Sequence, residues 1–100
     1  MKMYILVKES VPLGIAMTAV GHAAVACYKK YEDTEAMKAW LEKSFKKVVC
    51  KVNDEEFEKA KAVENNIILT ESSLGNQETA IVFAPREEFP KQFKFYRLYK

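Results

Sequence analysis

The sequence predicts an α/β domain of three layers, with a four-stranded mixed sheet carrying helices on both faces. Three observations lead there. Short apolar runs rich in β-branched and aromatic residues alternate with longer stretches of helical periodicity. Proline, glycine and asparagine separate the two kinds of segment. The 100 residues are 49% hydrophobic and 30% charged, the balance of an ordinary globular domain, so one core spanning residues 1–100 is expected.

Met3-Tyr4-Ile5-Leu6-Val7 is a continuous apolar run and reads as a fully buried first strand. Ser10 to Gly14 is a loop, punctuated by Pro12 and Gly14. Ile15 to Tyr31 follows as an alanine-rich helix. Its apolar residues cover most of the circumference, which predicts burial on several sides, Ala23 and Ala26 included. Asp33 or Thr34 caps a second helix with Ala36, Met37, Trp40 and Leu41 on one face.

Lys47 to Val52 is the second strand. Asn53 opens a third helix through a capping box with Glu56, and Phe57, Ala60 and Val63 form its buried stripe. Asn65-Asn66 ends that helix, and Ile67 to Thr70 is the third strand. A polar loop from Glu71 to Gln77 leads to the fourth strand, Thr79 to Ala84, which Pro85 stops. From Arg86 onward the chain is aromatic and basic, with a short helix and a final extended piece.

Several function classes are disfavoured by composition. A net charge of +2 does not by itself signal nucleic-acid binding. One histidine and two scattered cysteines make no zinc set, and no metal or organic cofactor is expected. Cys27 and Cys50 lie among apolar neighbours and read as two reduced thiols of a cytoplasmic protein, a single disulfide being the alternative. Val11 to Tyr28 is an uncharged stretch of 18 residues, near the lower limit for crossing a bilayer. It holds Pro12, Gly14, Thr18, Gly21, His22 and many alanines, so it reads as a buried helix and not a membrane span. Ala24-Val25-Ala26-Cys27 has the look of a lipoprotein cleavage site, but Glu9 and His22 fit poorly in a signal peptide.

Three groups of residues carry candidate chemistry. Thr18, His22 and Lys29 are spaced by four and seven, which sets them within about 40° on a helix. They form the one polar stripe on that helix. A histidine there suits proton movement or orientation of an ester, and a lysine suits phosphate; a solvated helix edge is the plainer alternative. Glu71, Ser72 and Ser73 occupy a loop leaving a strand end, where α/β ligand sites gather. A carboxylate there suits positioning water beside His22, or simply keeps a surface turn wet. A triad through Ser72 or Ser73 lacks a nucleophile-elbow motif. Over residues 86–100, five cations stand against two carboxylates, interleaved with Phe89, Phe93, Phe95, Tyr96 and Tyr99. Such a tail suits a single-stranded RNA end, or else packs its rings on the core with its cations in water.

The order of these elements resembles the type 2 peptidyl-tRNA hydrolases. Met3 to Val7 is followed by Leu13-Gly14-Ile15-Ala16 and then Gly21-His22-Ala23-Ala24, similar to the family's glycine- and lysine-rich loop and its Ser-His-Ala-Ala segment. Lys47 to Val52 with the acidic helix start after it resembles the family's lysine-valine strand. Thr79 to Pro85 resembles Thr-Val-Leu-Ala-Ile-Gly-Pro, and Arg97-Leu98-Tyr99 resembles a C-terminal Leu-Lys-Leu. The motifs are short, and their support is cumulative. The departures are equally plain. Leu13 and Ile15 stand where family members carry lysines, Ala19-Val20 replaces a Gln-Cys pair, and Glu71 to Gly75 replaces a longer loop with Asp-Ala-Gly and threonines.

The resemblance implies hydrolysis, without a metal, of the acyl ester at a tRNA 3′ end, through a degenerate catalytic signature. His22, Glu71 and Thr79 would be the catalytic residues, with Thr18, Lys29, Ser72 and Ser73 binding substrate. The site would lie where the Ser10–Gly14 loop, His22 and the Glu71–Gln77 loop converge. The alternative is a non-catalytic module that keeps the fold and binds tRNA, other RNA or a small ligand. Expected partners are therefore tRNA or a small molecule and no membrane, with a homodimer as the alternative to a monomer.

Overall fold

The computed structural model describes residues 1–100. Strand β1 (Lys2–Lys8) leads into helix α1 (Leu13–Tyr31) and then α2 (Glu35–Ala39), which widens into a π-helical turn over Trp40–Ser44. Strand β2 (Lys46–Val52), helix α3 (Asp54–Ala60) and strand β3 (Asn66–Glu71) follow. A 3₁₀ turn (Ser72–Leu74) joins β3 to β4 (Gln77–Phe83), and a 3₁₀ helix (Lys91–Phe95) precedes β5 (Arg97–Leu98). The sheet is mixed, in the order β3-β4-β1-β2-β5. β1 and β2 are parallel, while β4 runs antiparallel to both β1 and β3.

The sheet has five strands where the sequence predicts four. The extra one is the end of the tail, where Leu98 pairs with Cys50 and Arg97 with Lys51. Two residues are too few to show a period in sequence, yet they cover the outer edge of β2 that would otherwise stand unpaired.

Alternation along the strands divides the core into two clusters. Met3, Ile5 and Val7 of β1 pack with Ala80 and Val82 of β4, with Ala16, Ala19, Ala23 and Cys27 of α1, and with Met37 and Trp40. Leu6, Cys50, Val52, Ile81 and Phe83 pack instead with Phe57 and Ala60 of α3 and with Phe93 and Tyr96 of the tail. β1 and β4 are thus buried on both faces, which accounts for their nearly unbroken apolar sequences.

α1 departs from expectation in its cover. Only one stripe, Ala16, Ala19, Ala23 and Cys27, is buried. Leu13 and Met17 are 63% and 67% exposed, Val25 and Tyr28 are exposed too, and Ala26 is only half-buried. The small alanines let the helix backbone lie close to the sheet, so a narrow stripe enters the core and both flanks stay outside it. The helix also begins earlier than its sequence suggests. The Ala16 N–H donates to the Pro12 carbonyl at 2.9 Å, so Leu13 and Gly14 belong to the first turn. Pro12 has no N–H to leave unpaired, and its ring presets φ. No helix is long and apolar enough to cross a membrane.

The other caps follow the sequence closely. Thr34 caps α2, its hydroxyl accepting the Met37 N–H at 3.1 Å. Asn53 and Glu56 form the capping box of α3 with two bonds of 2.8 Å. The π-helical turn alters the end of the second helix: Trp40 is buried, its indole donating to the Lys46 carbonyl at 2.8 Å, while Leu41 is exposed. α3 closes at Ala60, so Val63 packs from beyond the helix.

Candidate functional site

α1 divides its face of the sheet into two unlike flanks. On the side of β2 and β5, Leu13, Ala16, Met17 and Val20 meet Val49 and Tyr99 in a wholly apolar groove of about 70 Å³. On the side of β3, His22, Val25, Ala26, Lys29 and Lys30 meet Leu69 around an open concavity of about 560 Å³. The separation follows from the helical repeat. Thr18, His22 and Lys29 lie within about 40° of one another, and Leu13, Met17 and Val20 lie on the other side of the buried stripe.

Strand direction gathers the loops at one edge. β1 and β2 are parallel, and β3 shares their direction because both β1 and β3 are antiparallel to β4. The carboxyl ends of these strands therefore bring the Glu9–Pro12 connection, the Asn53 cap and the turn after Glu71 to the same edge. Ligand sites in α/β sheets occur at such edges.

At the end of β3, the Glu71 carboxylate accepts two bonds from Ser73, one from its N–H at 3.1 Å and one from its hydroxyl at 2.8 Å. These donors, the backbone N–H first, hold Glu71 below the usual carboxylate range, and the charge of nearby His22 adds to them. A carboxylate held ionised in this way suits orienting water or facing a cation, and not donating a proton. Gly75 and Asn76, both with left-handed φ near +65°, turn the chain back into β4.

Three of the four candidate hydroxyls, all but that of Ser72, have partners within the protein. Ser73 is committed to Glu71. Thr18 donates to the Gly14 carbonyl one turn back at 3.3 Å. Thr79 is buried and donates to the Leu69 carbonyl at 3.3 Å. This last bond sits at a break in the β3–β4 ladder: Leu69 pairs with Ala80 but its neighbour Thr70 pairs with Glu78, leaving Thr79 as the extra residue of a bulge. Ser72 is exposed in the 3₁₀ turn.

The fold thus places His22 and Lys29 on one concavity, Glu71 with Ser73 within electrostatic reach of His22, and Thr79 behind Leu69 in its wall. It does not bring Leu13 to them, since that side chain lines the apolar groove across the helix. Lys30 and Leu69 join the concavity without having been singled out in sequence. Lys30 is legible only as the neighbour of Lys29, and Leu69 only once β3 is seen beside α1. No three His, Cys, Asp or Glu side chains converge as a metal-ligand set. Cys27 and Cys50 are free and belong to opposite core clusters, with the sheet between them. Burial pushes both thiols up to about 11.

The family described as peptidyl-tRNA hydrolase PTH2 matches residues 1–87, from β1 through β4. The match stops short of the 3₁₀ helix and β5, so the likeness of Arg97-Leu98-Tyr99 to a family C-terminus lies outside it. A search of curated proteins returns no match to the chain. The matched span contains the whole of α1 with its His22 flank, the β3–β4 loop and four of the five strands, and on that ground the chain belongs to the peptidyl-tRNA hydrolase PTH2 family.

Proposed function

We propose that this protein hydrolyses the ester joining an acyl group to a tRNA 3′ end, slowly and without a metal, in the cytoplasm. The observation that carries the reading is the opening of His22 and Lys29 onto one concavity, with the Glu71 carboxylate held ionised by Ser73 at the end of the adjoining strand. In the reaction a water oxygen attacks the ester carbonyl carbon, the bond to the ribose oxygen breaks, and that oxygen takes up a proton. The products are an acyl carboxylate and a free tRNA hydroxyl. Glu71 orients the water, His22 orients the ester or protonates the leaving oxygen, and Lys29 with Lys30 attracts the terminal phosphates. Ser72, exposed at the loop, contacts substrate. Ser73 fixes the carboxylate, and Thr79 supports the wall through Leu69. The test is deacylation of acylated tRNA by the natural protein and by His22→Ala. Turnover that His22→Ala abolishes is the expected result, and equal rates would remove His22 from the mechanism.

A second reading is a binding module for tRNA or a small ligand, without turnover. Its support is specific: Thr18, Ser73 and Thr79 already spend their hydroxyls on the protein, and Leu13 and Ile15 stand where the family resemblance calls for lysines. Saturable tRNA binding with no deacylation would establish this reading over the first.

A further inference from the structure

At the opposite edge of the sheet, by the amino end of β1, lies a second concavity of about 360 Å³. It falls in the size range of small-molecule sites. Its lining includes Lys2, Tyr4, Phe89, Lys91, Phe93 and Lys94. Lys2 and Lys8 bound the same strand, and six residue steps put this place about 20 Å from the carboxyl edge described above.

The local structure explains why these side chains meet. The 3₁₀ helix has three residues per turn, so Phe93 turns into the core while Lys91 and Lys94 share one outer face. Lys2 is tied to the start of the tail by a backbone bridge to Arg86. The rings of Tyr4, Phe89 and Phe93 pack on one another at centroid distances of 4.7 to 5.1 Å, which makes a fixed aromatic wall.

The polar groups at this wall are open. Lys2, Lys91 and Lys94 take part in none of the ion pairs of the protein. Of the two acids on the rim, Glu87 faces the N-terminal ammonium at 3.9 Å, and Glu88 alone keeps an unpaired carboxylate. The Tyr4 hydroxyl makes no hydrogen bond within the protein, and no buried side-chain polar atom is left without a partner, so the hydroxyl is accessible to solvent or ligand. Free ammonium groups, an available phenol donor and an aromatic wall together suit a ligand with an anion at one end and a flat ring at the other.

We infer that this concavity binds a 5′-nucleotide unit, with its phosphate held by Lys2, Lys91 and Lys94 and its base against the half-buried rings of Tyr4 and Phe89, which Phe93 backs from the core. A free mononucleotide and an unpaired residue of single-stranded RNA offer the same chemistry. The site lies apart from His22 and does not depend on ester hydrolysis.

The experiment is amide NMR of the full chain, titrated with AMP, adenosine, inorganic phosphate and a short oligoadenylate. AMP is expected to shift the amides of residues 2–4, 89 and 91–94 saturably. Adenosine and phosphate should each bind about tenfold more weakly, because each lacks half of the recognition. Lys91 and Lys94 are both exposed, so the double variant K91Q/K94Q should keep its dispersed spectrum and lose about tenfold in AMP affinity. Tyr4→Phe keeps the ring and should lose less. Tighter binding of the oligoadenylate than of AMP would identify RNA as the source, and the reverse would identify a free nucleotide; either supports the site. The proposal is overturned if AMP does not bind, if phosphate binds as well as AMP, if K91Q/K94Q binds AMP like the parent, or if the shifts centre on Lys29 and Lys30.

Discussion

Thr79 donates its hydroxyl to the carbonyl oxygen of Leu69 at the one place where the ladder between β3 and β4 slips. The residue is the bulged member of its strand, and the bond ties the bulge to the strand that walls the His22 concavity. Thr79→Val removes that bond and keeps the volume. A loss of about 1 kcal/mol in urea unfolding is expected, together with altered amide shifts at Leu69. Unchanged stability with a large fall in deacylation would instead assign the hydroxyl to substrate.

The Glu71–Ser73 pair makes a pH-dependent prediction. The folded-state pKa of Glu71 is lowered, so its stabilising contribution is present above the unfolded pKa and is lost as pH falls through the folded value. Ser73→Ala removes the hydroxyl donor and keeps the backbone one. Carboxyl NMR should show Glu71 titrating at a higher pH in the variant, though still below an ordinary glutamate. No movement would mean that the hydroxyl bond does not persist in solution.

Cys27 and Cys50 should both count as thiols in denaturant without reductant. In the native protein at pH 8 they should resist alkylation, since each is buried and pushed up to about 11. Rapid native alkylation of either would show that its cluster opens readily. A thiol count of zero would contradict the placement of the pair on opposite faces.

Introducing lysines at positions 13 and 15 tests the proposed phosphate contact. Leu13 and Ile15 are not equivalent here. Leu13 faces the apolar groove, whereas Ile15 is seven residues before His22 and so lies on nearly the same line of α1. Ile15→Lys should therefore strengthen tRNA binding and steepen its salt dependence by about 0.7 for one added single-strand contact. Leu13→Lys should change the slope little. If the double variant neither steepens the slope nor tightens binding, phosphate does not approach this flank. Rapid deacylation by the natural protein would show that the missing lysines are dispensable.

The buried face of α3 gives a stability benchmark. Phe57 is fully buried, and Lys8 and Lys61 lie over its ring. Phe57→Ala should cost about 3–5 kcal/mol in chemical denaturation. A cost under about 1 kcal/mol would mean that the second core cluster contributes little.

The sequence by itself determined whatever depends on near neighbours along the chain. The apolar runs of β1, β2 and β4, the Thr34 cap, the Asn53–Glu56 box and the polar stripe of Thr18, His22 and Lys29 are all encoded within a few residues. Local sterics, hydrogen bonding and helical repeat set them, and each was readable before any folding partner was known. Tertiary structure decided the rest, because pairing between distant segments has no local signature. Leu98 becomes a strand residue only because the edge of β2 is free. Thr79 becomes a bulge only through its register against Leu69 and Thr70. α1 looks apolar almost all round, yet it keeps Leu13 and Met17 in solvent because the sheet covers a single stripe of it. The tail illustrates the same limit: its pattern of rings and cations is uniform in sequence, but Phe93 enters the core and Phe95 stays 79% exposed. Packing against Tyr4 and Phe83 selects one ring and leaves the other, and those partners lie ten or more residues away in the chain.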